Sequence, residues 1–340
     1  MIMSETAPQE AKVATGNVRH RGRRKITVLI PAYNEAANLE LLIGELHRLR
    51  DVLMASGQTA YAYNWEFLVV DDGSSDNTPE VLRRLRAEDN SLHYLRLSRN
   101  FGKENALMAG FDYADGDCVL VMDADLQHPV DVVPQMLRCW EEGYDDVYGN
   151  RRTRGRVPLL RRKLTAAYYK MLSKSTRLNV LPNVGDFRLL DRRCVEALRA
   201  MRESQRNTKG LLCWVGFRKK GIDYDEDERH HGRSRYTYRR LFDLAFEGLT
   251  LFSTAPLRFA SIMGMAVSAV AFVYLLVILC KTLIWGEVVQ GYPTLMCVIL
   301  FLGGCQLLAI GIIGEYVGRI FNEAKKRPPY IAESYDGEKC

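Results

Sequence analysis

The fold is decided by the first apolar segment of the chain, residues 26–35, which read ITVLIPAYNE. Its first five residues are aliphatic or β-branched, as is typical of a strand, and it ends in proline, asparagine and glutamate, which favour a turn. Residues 38–53 follow with leucines and an isoleucine at helical spacing. This segment therefore predicts a buried strand followed by a helix that covers it.

The same alternation of strand and helix continues along the next hundred residues. Further strands are predicted over residues 66–70, 92–97 and 118–122, and further helices over 79–87, 104–113 and 130–142. Strands that alternate with helices favour a mostly parallel sheet with helices on both faces, the α/β class. Ligands of such sheets bind beyond the carboxyl ends of the strands.

Composition restricts the alternatives. The chain has 340 residues, of which 47% are hydrophobic and 26% charged, so a globally disordered chain is excluded. Its eight cysteines include no C-x-x-C pair, which favours reduced thiols over a metal or redox site. Residues 1–24 contain no apolar signal-peptide segment and end in a basic run, and we expect a disordered basic tail followed by a soluble domain in the cytosol.

Two apolar runs, residues 259–280 and 292–314, contain no charged residue. A helix of that length spans roughly 33 Å, enough for a hydrocarbon core of about 30 Å. We therefore predict membrane-spanning helices over 256–285 and 291–315, preceded by a juxtamembrane helix over 236–255. Lysines and arginines on the outer flanks place the catalytic domain and a tail, residues 316–340, in the cytosol.

A basic segment lies between the α/β domain and these runs. Residues 151–177 contain ten lysines and arginines and no acidic residue, with apolar residues at helical spacing. This pattern predicts an amphipathic helix over 158–175 at a membrane surface, and a solvated helix packed on the domain is the alternative.

Acidic turns follow three of the predicted strands. Asp72 begins a turn with Gly73 after the second strand, and Asp123, Asp125 and Gln127 follow the fourth. Carboxylates spaced by two, together with an amide oxygen, suit a hard divalent cation such as Mg²⁺ or Mn²⁺. A carboxylate after a strand can also accept hydrogen bonds from a nucleotide. We expect the neighbouring histidine, residue 128, to lie beside the ligands rather than among them.

Together, P-x-Y-N-E at 31–35, VDDGS at 70–74 and D-x-D-x-Q at 123–127 resemble the inverting glycosyltransferase family 2, with its GT-A fold. Five further segments resemble the polyprenyl-phosphate glycosyltransferases of this family, above all the bactoprenol glucosyltransferases. They are RNFGKE at 99–104, NVGDFRL at 183–189, FSTAPLR at 252–258, GYP at 291–293 and GEYVGR at 314–319. The resemblance covers residues 25–330 and implies a catalytic domain over 25–235.

The resemblance implies transfer of a hexose, with glucose favoured, from a UDP-sugar to undecaprenyl phosphate at the bacterial inner membrane. The implied site residues fall into four groups. They are the catalytic Asp186 and Asp125; the nucleotide-binding Pro31, Tyr33, Glu35, Asp72, Asp123 and Ala124; the metal ligands Asp123, Asp125 and Gln127; and the acceptor-phosphate residues Arg151, Arg229 and Ser234. Membrane lipids are further partners, and no nucleic acid is expected.

Other functions stay open at this point. A processive polysaccharide synthase shares the acidic motifs, but residues 135–140, QMLRCW, only approximate its Q-x-x-R-W acceptor motif. A catalytically silent membrane scaffold would not need the three metal-type ligands. Glycines in the second apolar run suit close helix packing and predict a homo-oligomer.

Overall fold

The computed structural model describes residues 24–56, 63–151, 184–204, 206–225, 255–285 and 291–340. It contains all the strands and helices predicted for the first 142 residues. The strands are β1 (Arg24–Ala32), β2 (Tyr63–Asp71), β3 (Leu92–Leu97) and β4 (Cys118–Val121). The helices are α1 (Ala36–Ser56), α2 (Thr78–Glu88), α3 (Lys103–Tyr113) and α4 (Val133–Glu141), the last preceded by a 3₁₀ turn, Val130–Val132.

Both faces of the sheet are covered. β4, β1, β2 and β3 are adjacent and parallel, with Ile26 in register with Trp65 on one side and Cys118 on the other. Val28 packs in the core formed with α1 and α4, whereas Leu29 packs in the core formed with α3. β1 is therefore buried on both faces, which explains its uninterrupted apolar sequence. The predicted GT-A arrangement, a mostly parallel sheet between helical layers, is confirmed.

Three further strands complete one side of the sheet. They are β5 (Asp146–Arg151), β6 (Val184–Asp191) and β7 (Lys219–Tyr224), with α5 (Arg192–Ala200) and α6 (Thr208–Val215) between the last two strands. β6 is antiparallel to both β4 and β5, and β5 is parallel to β7. None of these strands is predicted from the sequence, because their short, polar-rich segments carry no clear alternation.

The C-terminal part contains two long helices and a small hairpin. α7 (Ala255–Trp285) and α8 (Tyr292–Ala324) contact each other, and β8 (Ala332–Tyr335) and β9 (Glu338–Lys339) follow them. β8 pairs antiparallel with β3 and so extends the catalytic sheet. The predicted tail over 316–340 is thus partly helix and partly sheet. α8 continues into it through the apolar Val317, Ile320 and Phe321, and a strand as short as β8 is recognisable only from its pairing.

Among the described residues, one stretch has the length and apolar character to cross a membrane, Phe301–Ala324, and Ile262–Tyr274 is a shorter apolar stretch. Three predicted segments lie outside the described residues. They are the tail at 1–24, apart from Arg24, which begins β1; the amphipathic helix at 158–175; and the juxtamembrane helix at 236–255.

One buried ion pair joins β5 to β6. The Arg188 guanidinium donates to both carboxylate oxygens of Asp146, at 2.9 and 3.2 Å, and the two residues are 3% and 0% exposed. Burial raises the pKa of Asp146, although Arg188 opposes this effect. Removing the arginine would leave a buried carboxylate without its main partner.

We therefore expect Arg188→Met to lower the free energy of unfolding by about 3–5 kcal/mol. Thermal unfolding of the purified enzyme in detergent measures this, with Arg84→Met as the control. Arg84 pairs with Glu40 on the surface, both side chains being more than half exposed, so its loss should cost less than about 1 kcal/mol. Equal melting temperatures for the two variants would contradict a structural role for the buried pair.

Candidate active site

The loops after β1 and β2 are joined by reciprocal hydrogen bonds. The Asn34 amide donates to Ser74 Oγ at 2.9 Å, and the Ser75 amide donates to Asn34 Oδ1 at 2.9 Å. Asn34 has a φ of 57°, a left-handed conformation that asparagine tolerates better than most residues. The Glu35 amide donates to Thr78 Oγ1 at 3.0 Å. The two predicted nucleotide-binding loops therefore form one surface.

Asp72 connects this surface to the loop before α3. Its carboxylate oxygens accept hydrogen bonds from the amides of Phe101 and Gly102, at 2.7 and 2.8 Å. Burial raises the pKa of Asp72, although the two amides oppose this effect. The adjacent Gly73 has a φ of +67°, and a Cβ there would lie 2.4 Å from the carbonyl carbon of Arg99. Only glycine allows so close an approach.

The turn after β4 is held by the buried His128. The Asp123 amide donates to His128 Nδ1 at 3.1 Å, so that nitrogen carries no proton, and burial lowers the pKa of the imidazole. The ring stacks on Phe187 of β6, with centroids 4.8 Å apart. Leu126, inside the turn, has a φ of 60°, which is strained for a leucine. His128 thus acts on the backbone of the turn that carries Asp123 and Asp125.

Lys103, the first residue of α3, lies between two carboxylates of the site. Its Nζ is 2.5 Å from Asp123 Oδ1 and 2.6 Å from Asp186 Oδ2, and Lys209 Nζ is 3.4 Å from Asp186 Oδ1. Burial alone would raise the pKa of Asp186, but the two ammonium groups outweigh it and lower the pKa to about 2. The same carboxylates raise the pKa of Lys103 against the opposing effect of its burial. Asp186 is therefore a carboxylate at neutral pH.

The predicted metal ligands provide a suitable donor set. Asp123 Oδ1 is buried, and its close contact is the Lys103 ammonium at 2.5 Å. Asp125 belongs to the same turn, where its Oδ1 accepts a hydrogen bond from the Gln127 amide at 3.3 Å. No group of three His, Cys, Asp or Glu side chains in the described ranges has a metal-binding arrangement. Asp123 already attracts a cation, and its carboxylate together with that of Asp125 would suit a hard divalent ion, with further oxygen ligands coming from a bound substrate.

The other predicted residues have different surroundings. Tyr33 is 45% exposed at the mouth of the site, and Glu35 has its pKa raised by burial and by the carboxylates of Asp125, Asp76 and Asp123. Pro31 lies near the end of β1, and Ala124 is buried in the turn after β4. Arg151, at the end of β5, donates from Nε to the Tyr224 hydroxyl at 3.3 Å and lies near Gly185, next to Asp186. Arg229 and Ser234 lie outside the described residues.

The two lysines of the site were not predicted. Lys103 belongs to the RNFGKE segment at 99–104, whose pattern the sequence analysis noted without giving this residue a role. Lys209 has no motif around it. Its role follows only from the position of α6, where the Thr208 amide donates to Glu104 Oε2 at 2.8 Å and so joins the beginnings of α6 and α3.

Comparison with known proteins identifies the family. The profile described as Glycosyl transferase family 2 matches residues 27–199, which include the acidic turns and Asp186. The chain belongs to glycosyltransferase family 2. A second profile, described as the GtrB C-terminal hairpin, matches residues 255–320 of this family 2 enzyme, and this match together with the apolar stretch in α8 indicates association with a membrane.

The relatives of this family 2 enzyme align over almost its whole length. Bactoprenol glucosyl transferase from Shigella phage SfV is 38% identical over 310 residues, covering 91% of this chain and 98% of that protein. Putative glycosyltransferase CsbB from Bacillus subtilis is 39% identical over 307 residues, covering 90% of both. Among solved structures, mannosyltransferase PcManGT from Pyrobaculum calidifontis in complex with GDP-Man and Mn²⁺ has a TM-score of 0.44 and 18% identity, covering 85% of this chain and 88% of that one.

We expect Gly73→Ala to disturb the loop that holds Asp72. The left-handed conformation and the contact with the Arg99 backbone should together cost about 1–3 kcal/mol, by loss of stability or by displacement of the loop. The melting temperature and the Michaelis constant for the sugar donor measure the two effects. Gly44→Ala is the control, since its Cβ would meet nothing within 4 Å and alanine is the better residue inside a helix. If Gly73→Ala matched Gly44→Ala in both measurements, the loop would not need this glycine.

Proposed function

We propose that this enzyme transfers a hexose, with glucose favoured, from a UDP-sugar to undecaprenyl phosphate, with inversion at the anomeric carbon. The observation that carries the proposal is the order of the two matched parts, a family 2 domain followed by a GtrB hairpin. The phage SfV protein named bactoprenol glucosyl transferase aligns with both parts and is covered over 98% of its length. The same two-part arrangement favours this function over a processive synthase or a silent scaffold.

The nucleotide would lie on the surface formed by the loops after β1, β2 and β4. Tyr33, Glu35 and Asp72 border it, and Asp123 follows β4 at the same edge of the sheet, together with Pro31 and Ala124. Asp72 uses its carboxylate to hold the amides of residues 101 and 102. Its contribution to the nucleotide site therefore includes fixing the loop that ends in Lys103.

Asp123 and Asp125, with the Gln127 amide oxygen, would hold Mg²⁺ or Mn²⁺. When bound, the cation neutralises charge on the diphosphate leaving group. Lys103 is the cation beside Asp123 in the structure, at 2.5 Å. We infer that Lys103 also contributes positive charge close to the diphosphate.

The acceptor is a phosphate oxygen, which is already anionic near neutral pH because its second pKa is about 6. That oxygen attacks the anomeric carbon, the bond from this carbon to the diphosphate oxygen breaks, and UDP leaves with the electron pair. No proton has to be removed from the nucleophile, so the chain must mainly position two anions and balance their charge. Arg151, at the end of β5 and beside Gly185, is our candidate for holding the acceptor phosphate, with Arg229 and Ser234 as further candidates.

Asp186 fits a positioning role in this reaction. The two lysines lower its pKa to about 2, which makes it a weak proton acceptor and a good partner for ammonium groups. We infer that Asp186 orients Lys103 and Lys209 beside the reacting groups. A lipid-linked acceptor is consistent with a multi-pass location in the bacterial inner membrane, with the site on the cytosolic side. We further propose that the chain forms a homo-oligomer.

The proposal predicts release of UDP only when both substrates are present. Purified enzyme in detergent with undecaprenyl phosphate and a panel of UDP-sugars should form a lipid-linked sugar most rapidly from UDP-glucose. Activity with a different UDP-sugar would correct the donor. Failure to glycosylate undecaprenyl phosphate from any donor, with metal present, would contradict the proposed function.

The metal assignment predicts that Asp125→Asn removes most of the activity, because a neutral amide replaces a charged oxygen ligand. Turnover is measured over a range of Mg²⁺ and Mn²⁺ concentrations, together with the melting temperature. Asp131→Asn, in the 3₁₀ turn that follows, is the control and should behave like the wild type. Unchanged turnover in Asp125→Asn would contradict its role as a ligand.

The acceptor assignment predicts that Arg151→Ala raises the Michaelis constant for undecaprenyl phosphate by about tenfold or more, because a charge-assisted contact worth about 1.5–3 kcal/mol is lost. The Michaelis constant for the UDP-sugar should change much less. Arg138→Ala, at an exposed position on α4, should leave both constants unchanged. An equal increase in both constants for Arg151→Ala would instead indicate a general disturbance of the site.

A further inference from the structure

The β8–β9 hairpin attaches the end of the chain to the catalytic sheet. β8 pairs with β3 from Leu95 to Leu97, and the Ser98 amide donates to the carbonyl oxygen of Ile331 at 3.0 Å. Ser98 is the first residue of the loop that carries the Asp72-bound amides. The hairpin therefore lies against the strand from which a loop of the active site begins.

Asp336 fixes the position of the hairpin turn. Its Oδ1 accepts from the Tyr94 amide at 2.9 Å, and its Oδ2 lies 2.6 Å from His93 Nδ1 and 3.1 Å from Arg86 Nε. The Asp336 amide donates in turn to the Tyr94 carbonyl at 2.9 Å. Tyr335, the preceding residue, stacks on both His93 and Tyr113. These contacts fix the register of β8 on β3 over Leu95 and Arg96, beyond which the pairing shifts by one residue at Leu97.

In that register β8 carries Glu333 to Arg96, the β3 residue that faces Asp71. Glu333 Oε2 is 3.2 Å from Arg96 Nε, and Arg96 Nε is 3.7 Å from Asp71 Oδ2. Asp71 Oδ1 accepts from the Ser74 amide at 2.9 Å, and Ser74 Oγ accepts from the Asn34 amide at 2.9 Å. A continuous series of contacts thus runs from the C-terminal strand to the loops after β2 and β1.

Asp71 needs this arginine because it is fully buried. It is 0% exposed, and its Oδ2 accepts no hydrogen bond from any residue that the structure describes. A buried carboxylate is stable only when it is paired or hydrogen-bonded. Arg96 supplies the opposing charge, and Glu333 Oε2 contacts the same Nε at 3.2 Å and so holds the guanidinium in place.

We propose that Arg96 is a positioning residue for the nucleotide loops, and that the β8–β9 hairpin places it through Glu333. This inference rests on the proposed function, since it takes the loops at 31–35 and 71–76 to be the donor site. Because β8 follows α8 after only seven residues, the same contacts connect the membrane hairpin to the donor site. The β8–β9 hairpin would then affect donor binding and not only cover the edge of the sheet.

The test compares Arg96→Gln, Glu333→Gln and the double variant, using full-length enzyme in detergent and UDP binding measured by calorimetry. Each single variant should weaken UDP binding by about threefold to tenfold, and the double variant should be no weaker than Arg96→Gln, because both changes interrupt one series of contacts. Arg96→Lys, which keeps the charge beside Asp71, should recover part of the affinity. Glu338→Gln, on the exposed β9 of the same hairpin, should bind UDP like the wild type.

Hydrogen exchange provides a measurement that does not depend on the donor. The amides of Ser74 and Asn34 should exchange faster in Arg96→Gln and Glu333→Gln than in the wild type, whereas Glu338→Gln should not change them. If the wild type binds UDP and both variants bind it equally well, the positioning role is wrong while the proposed function stands. If the wild type binds no UDP, the proposed donor is wrong and no donor site remains for Arg96 to position.

Discussion

The hydrogen bonds of β1 to β2 and β4 are the interaction on which the site depends. β1 is in register with β2 over its whole length and with β4 from Ile26 to Leu29. Because these strands are parallel and adjacent, their carboxyl ends meet at one edge of the sheet, and the loops that follow them lie side by side. Helices bury both faces of β1, so a shift of one residue would move each apolar side chain into the core on the opposite face, which is packed around different neighbours. The core thereby sets the positions of the polar loops.

Charge balance organises the active site at that edge. Asp123 and Asp186 come from different strands, and the Lys103 ammonium lies between them at 2.5 and 2.6 Å. Lys209 adds a second positive charge beside Asp186. Carboxylates that are brought together must be matched by cations, and this site uses lysines from the beginnings of two helices. The same balance suits a reaction in which two phosphate-bearing substrates must approach each other.

Within the described residues, contacts with the catalytic domain are made both by α8 and by the segment that follows it. The Ser204 amide, just after α5, donates to Glu323 Oε2 near the end of α8 at 3.0 Å. Beyond α8, the chain returns to the sheet, where Tyr330 donates to Asp112 Oδ2 at 2.7 Å and Asp336 holds the hairpin turn. The proposed acceptor is lipid-linked, so the site would have to lie at a defined distance from the membrane. These contacts provide such a constraint.

The sequence by itself determined the strand and helix order of the first 142 residues, the acidic turns after the strands and the two apolar runs. These features are local: the apolar periodicity, the turn residues and the uncharged length can each be read within one segment. Only the tertiary structure decided the antiparallel β6, the pairing of β8 with β3 and the meeting of Lys103, Lys209 and Asp186. These features join segments that are distant in the chain, by 83 positions for Lys103 and Asp186. Short strands of mixed polarity also look like loops until a partner strand satisfies their backbone.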